Sequence, residues 1–161
     1  MSHSIAIGKK APDFDLPVVG GDYGENARVK LADLKGSQVV LYFYPKDDTP
    51  GCTTEGKDFS DLADDFAKAG ATVIGVSKDT VAKHGKFRAK HDLKVELGSD
   101  AGSDVIERYG AWVEKKLYGR EYMGIDRSTW LIDGEGIIRR VWRKVKVGGH
   151  AAEVLKAAQG L

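Results

Sequence analysis

One cysteine, Cys52, is all that the 161 residues contain, so no disulfide can close within the chain and no Cys-x-x-Cys pair exists to work as a dithiol. Charge of one sign is also missing. The 25 Lys and Arg stand against 24 Asp and Glu, a formal net charge of +1, which leaves no global field to recruit nucleic acid or an anionic membrane. No apolar run approaches the roughly 20 residues of a membrane span, and Met1 to Lys10 lack the basic start and apolar core of a signal peptide. The glycines between Val19 and Asn26 follow neither Gly-x-Gly-x-x-Gly nor a Walker pattern, so no phosphate cradle is expected there. Among the four histidines, His84 and His91 lie two helical turns apart with no third ligand nearby, and they are expected at the surface or an interface rather than on a metal. What these absences leave is one domain of ordinary size, residues 1–161, in a reducing cytoplasm with a small partner.

The stretch that remains distinctive runs from Tyr44 to Glu55 and holds that cysteine. Before it stands an apolar strand, Val39 to Phe43; after it, Phe59, Leu62, Ala63, Phe66 and Ala67 recur at the spacing of one helix face. Pro50 is tolerated only at a helix edge, and Asp47, Asp48 and Thr49 are capping types, so Cys52 falls in or just before the first helical turn. Unpaired N–H groups and the positive end of the macrodipole stabilise an anion at that place, and thiolate is the nucleophilic form of cysteine. The competing reading is a small, buried, inert hydrophobe. Neighbours of the types Pro, Gly, Thr, Asp and Glu argue against an apolar setting and favour a reactive sulfur.

Along the chain, Pro12 to Pro17 reads as a short edge strand, Val29 to Leu34 as a strand or turn, and Gln38 to Tyr44 as a buried strand. After the cysteine helix, Gly70 serves as a C-cap and Ala71 to Ser77 as a parallel strand, which completes a βαβ unit. A helix follows over Val81 to His91, a short strand over Val95 to Leu97, and a short helix over Ser103 to Gly110. Lys115 to Asp126, with two glycines among aromatics, reads as a loop. Ser128 to Asp133 and Ile137 to Val147 form a hairpin through Asp133-Gly134-Glu135-Gly136, and His150 to Ala158 close the chain as an amphipathic helix. The basic residues of the last strand, Arg139, Arg140, Arg143, Lys144 and Lys146, are read as a solvated face.

This order is that of an α/β fold, a thioredoxin-like three-layer sandwich with a central mixed β-sheet flanked by helices. At Pro45-x-x-x-Thr49-x-x-Cys52 the sequence resembles the peroxiredoxin family, and Leu41 to Glu55 as a whole is similar to its Q-type branch, the bacterioferritin comigratory proteins. Lys116 to Asp133 resembles the same branch, as do Pro12-Asp13-Phe14 and Leu31-x-Asp33-Leu34-Lys35-Gly36, so the likeness spans nearly the whole chain. It implies a peroxidase without a bound cofactor or metal, acting on hydrogen peroxide and organic hydroperoxides. Cys52 would attack the peroxide, Thr49 bond it through the hydroxyl, and Arg127 favour thiolate and stabilise the polarising O–O pair. Gly51 would help supply backbone donors, and Pro45 would shield the sulfur. Glu55 is expected at the pocket edge, in no assigned role. Many Q-type proteins carry a resolving cysteine where this chain has Lys57, so the resemblance is to a one-cysteine variant reduced by an external thiol, thioredoxin or glutathione with glutaredoxin. Q-type relatives are commonly monomeric, with dimers known. The other function class the residues admit is a redox-sensing binding protein switched by oxidation of Cys52.

Overall fold

The computed structural model describes residues 6–20 and 23–161; the first five residues, and Gly21 and Asp22 of the glycine-bearing loop, lie outside the described residues. At its centre β3 (Gln38–Phe43) is buried from Val39 onward. A strand apolar at every position is what a sheet covered on both faces requires. It pairs in parallel with β4 (Ala71–Ser77), Val40 opposite Val73, and antiparallel with β8 (Ser128–Ile132), Phe43 opposite Ser128. Beyond β4 come β5 (Glu96–Ser99), β1 (Asp15–Val19) and β2 (Arg28–Lys30), while β9 (Ile138–Trp142) follows β8. The order is β2-β1-β5-β4-β3-β8-β9, seven strands of mixed direction.

Strand alternation divides the core in two. Val39, Leu41 and Phe43 pack on one side with Val105, Ile106 and Tyr109, from α4 (Val105–Arg108) and the residue after it. Val40, Tyr42 and Tyr44 pack on the other with Phe59, Phe66, Phe87 and Val154. Those four come from α1 (Pro50–Asp61), α2 (Ala63–Lys68), α3 (Val81–His91) and α5 (His150–Gln159). The expected α/β sandwich with its βαβ unit is therefore the architecture found.

Several local expectations need correction. The cysteine helix is not one helix: at Leu62 the backbone leaves helical values (φ −102°, ψ 9°), and Ala67 beyond it is exposed. β1 is not an edge strand, since β2 covers its outer side and Pro17 sits opposite Arg28. Lys115 to Asp126 is no loop but most of a second, two-stranded sheet, β6 (Trp112–Leu117) paired with β7 (Arg120–Ile125). Its turn, Tyr118 and Gly119, has positive φ at both residues (52° and 76°), the geometry of a tight hairpin. A tyrosine in the left-handed region gave the sequence no turn signal. The last strand stops at Trp142, five residues before Val147, because Lys144 turns to φ 49°. His84 is fully buried and not at the surface, and His91 is only 16% exposed at its side chain.

Gly75 lets α1 approach the sheet. Tyr42 lies across it so closely that a Cβ there would stand 2.5 Å from the ring carbon bearing the hydroxyl, and the same ring stacks on Phe59 of α1 at 4.6 Å. Gly75→Ala is therefore expected to cost about 1–3 kcal/mol by overpacking. Urea denaturation checks it, and an unchanged midpoint would mean that the Tyr42 ring yields freely.

Candidate active site

α1 begins where the prolines place it, with Thr49 at the N-cap (φ −97°, ψ 155°) and Pro50 as the first helical residue. Pro50 has no N–H, and Thr53 N donates to Thr49 O at 2.8 Å. The first turn thus leaves the N–H groups of Gly51 and Cys52 without an intrahelical acceptor. The Thr49 side chain does not cap the helix; its hydroxyl donates to Lys46 O at 2.8 Å, so its lone pairs remain available to accept.

Cys52 is 2% exposed and belongs to the apolar cluster of Tyr42, Tyr44 and Phe59, so the expectation of an unburied sulfur fails. Of its helical neighbours Thr54 and Lys57 are exposed, while Cys52, Glu55, Gly56 and Phe59 are buried together on the inward helix face.

Arg127 arrives from the far side of the chain. It directly precedes β8, whose pairing sets Ser128 against Phe43 at the end of β3, beside the start of the cysteine loop. Its backbone is fastened by Val145 N donating to Arg127 O at 2.9 Å, and that of Asp126 by a bond from its own N–H to Ala111 O at 2.7 Å. From there Nη2 donates to Cys52 Sγ at 3.4 Å and Nη1 to Glu55 Oε1 at 2.7 Å. Gly51 matters by lacking a side chain, because a Cβ there would stand 3.1 Å from Arg127 Nη2. Pro45 is exposed at the end of β3, and Thr49 is half-buried. The structure thus joins Cys52, Arg127 and Gly51 in direct contact, with Thr49 one turn away.

Glu55 was expected at the pocket edge and is instead 1% exposed, with its second carboxyl oxygen, Oε2, lacking a hydrogen-bond partner. Burial pushes its carboxyl from the ordinary 4.5 up to about 7, against the pull of Arg127 and with help from Asp58. Burial also works against the Arg127 charge, yet Glu55 and the Cys52 sulfur outweigh it and the guanidinium is raised above its ordinary value. The two partners are thus pulled toward different charge states, and the physical resolution is that Arg127 stays a cation while Glu55 titrates. Tyr42, also beside the sulfur, is pushed well up by burial and then by Glu55 and Cys52, so its hydroxyl stays protonated. The described residues contain no cluster of three or more metal-ligating side chains, and no helix among them is long and apolar enough to cross a membrane.

Residues 7–141 match the AhpC/TSA family. The chain belongs to that family. Within it, the Peroxiredoxin Bcp of Bacillus subtilis is 52% identical over 158 residues, 98% of each chain. A solved structure of Xanthomonas campestris Peroxiredoxin Q is 42% identical with a TM-score of 0.84, covering 91% of this chain and 90% of that one. A cysteine-to-serine variant of Xylella fastidiosa PrxQ is 37% identical with a TM-score of 0.88, covering 97% and 96%. The protein is thus a peroxiredoxin of the Bcp or Q type, a thiol-dependent peroxidase, and its single cysteine makes it a one-cysteine form. The Xanthomonas protein has been solved as cysteine-to-serine variants at two positions and so has a second cysteine, which this peroxiredoxin lacks.

Glu55 is the residue that the sequence left without a role, and its burial makes it measurable. With the folded value raised, the stability it supplies is fully present below about pH 4.5 and is lost as pH rises through about 7. Between about pH 4.5 and 7 the unfolding midpoint of the wild type should therefore fall relative to that of Glu55→Gln, which cannot ionise. A constant difference between the two would show that Glu55 keeps one charge state throughout.

Proposed function

We propose that this peroxiredoxin reduces hydrogen peroxide and organic hydroperoxides at Cys52, with Thr49 and Arg127 as its catalytic partners and Gly51 and Pro45 shaping the substrate site. The observation that carries this reading is the 3.4 Å contact between the Arg127 guanidinium and the buried Cys52 sulfur. That contact gives the sulfur a cationic hydrogen-bond donor, and the helix start adds the N–H groups of Gly51 and Cys52.

In the reaction, the Cys52 thiolate attacks one peroxide oxygen, the O–O bond breaks, and the departing oxygen leaves as hydroxide or alkoxide, which takes a proton to become water or alcohol. Sulfur is oxidised by two electrons to the sulfenic acid. Thr49, whose own proton is committed to Lys46 O, accepts a bond from the peroxide O–H and so orients it. Arg127 and the two backbone N–H groups face the oxygen that gains charge. Pro45, exposed just beyond β3, is assigned the shielding of the sulfur from bulk water. A first external thiol then condenses with the sulfenic acid, releasing water and forming a mixed disulfide, and a second thiol reduces that disulfide and restores Cys52. Thioredoxin or glutathione with glutaredoxin supplies those thiols in a reducing cytoplasm, and the enzyme works as a monomer. The alkyl peroxide reduction activity ascribed to the Xanthomonas campestris bacterioferritin comigratory protein, 41% identical with a TM-score of 0.83, supports the organic branch of the substrate range.

Stopped-flow oxidation of the reduced enzyme tests the assignment. Arg127→Ala should lose about 2.7–4 kcal/mol of transition-state stabilisation, or roughly 10²–10³ in the second-order rate, Thr49→Val should lose in the same direction, and Cys52→Ser should not turn over. An Arg127→Ala enzyme oxidised as fast as the wild type would remove Arg127 from the mechanism.

A further inference from the structure

The loop between Tyr44 and Thr49 carries two carboxylates, Asp47 and Asp48, and both are paired. Asp47 is 8% exposed. Its Oδ2 lies 2.7 Å from His84 Nδ1, and its Oδ1 accepts from the Tyr44 hydroxyl at 2.5 Å. The other ring nitrogen of His84, Nε2, faces Gly98 O at 3.0 Å. His84, fully buried, is thus held through both ring nitrogens, by Asp47 on one side and by the Gly98 carbonyl on the other. Two turns along α3, His91 Nε2 meets Asp48 Oδ1 at 2.8 Å, and Lys90 Nζ reaches Asp48 Oδ2 at 2.7 Å. Asp48 itself is bent to φ 59°, a conformation that a non-glycine residue adopts at some cost and that these bonds hold.

One peptide plane connects this network to the chemistry. The N–H of Asp47 donates to Asp79 Oδ2 at 2.8 Å. On the other side of the same planar unit, the Lys46 carbonyl accepts the Thr49 hydroxyl at 2.8 Å. Whatever fixes Asp47 therefore fixes the direction of the Lys46 carbonyl, and that carbonyl decides where the Thr49 lone pairs point.

We propose that His84 and His91 are positioning residues for peroxide: by gripping the consecutive Asp47 and Asp48, they set the Lys46–Asp47 peptide plane and thereby aim the Thr49 hydroxyl at the substrate. The proposal deepens the role given above to Thr49 and rests on it. The side-chain hydrogen bonds of His84 go to Asp47, Tyr44 and Gly98, not to the sulfur; it acts through the plane. The paired histidines of α3, seven positions apart, thus each hold one of two adjacent aspartates.

Two substitutions of similar size separate this role from simple support of the fold. Asparagine offers an amide donor at the place of Nδ1, toward Asp47, whereas glutamine offers one at the place of Nε2, toward Gly98. Each variant is assayed for two rates: oxidation of Cys52 by hydrogen peroxide, and alkylation of Cys52 by iodoacetamide, which needs the nucleophile but not the Thr49 hydroxyl. His84→Gln should lower the peroxide rate relative to the alkylation rate by about tenfold, while His84→Asn should stay within about threefold of the wild type. In a Thr49→Val background His84→Gln should add no further loss, because the two act through one group. Asp48→Ala and His91→Ala, at the outer end of the grip, should each lower the same ratio by about threefold, and they decide the matter if a His84 variant does not fold. Equal ratios in the Asn and Gln variants, or a ratio unchanged in every variant while only the melting temperature moves, would overturn the proposal. A Thr49→Val enzyme as fast as the wild type would instead remove the role of Thr49 itself, and the wild-type peroxide rate reports separately on the peroxidase reading.

Discussion

A guanidinium shared between a buried carboxylate and a buried sulfur is the constraint on which this molecule turns. Arg127 reaches Glu55 at 2.7 Å and Cys52 at 3.4 Å, and the sulfur is 75 residues away in the chain. Bringing such groups together in a water-poor place is costly unless each charge has a partner. The surrounding structure supplies the geometry: the β3·β8 ladder brings Arg127 to the start of the cysteine loop, and Gly51 leaves room for its Nη2. Glu55 holds the fork without satisfying both of its own oxygens, so the charge balance of the site is uneven by construction.

Cys52 and the start of its helix were legible because the information is local. Pro50 ends a strand-to-helix connection where it must, and the βαβ unit announces itself through an apolar run, a helical period and a second apolar run. The burial of Cys52 was not legible, because neighbours in sequence say little about neighbours across a helix. His84 shows the same blindness more sharply. Nothing near it in sequence marks it as buried, and its partner, Asp47, lies 37 residues back on a different element. The hairpin of β6 and β7 was missed for the opposite reason, since its glycines and exposed aromatics look like loop composition and its register is visible only once the strands are paired.

Burial also defines what can reach the sulfur. A peroxide is slender enough to approach a thiol that is 2% exposed, whereas a protein thiol needs a wider approach. The same closeness that keeps Cys52 beside Arg127 thus sets two different demands on the two halves of the cycle. With no second cysteine in the chain, no internal disulfide can form at Cys52.

The β6–β7 hairpin joins Arg127 only through its inner end, where Ile125 is buried, while its tip, Tyr118, is 94% exposed. Backbone bonds from Asp126 to Ala111 and from Val145 to Arg127 tie down the segment beyond that inner end. Residues inserted at the tip would lengthen a ribbon in solvent without displacing the sulfur's cation, which makes that turn the natural point at which to graft a tag, a label or a foreign peptide onto this enzyme.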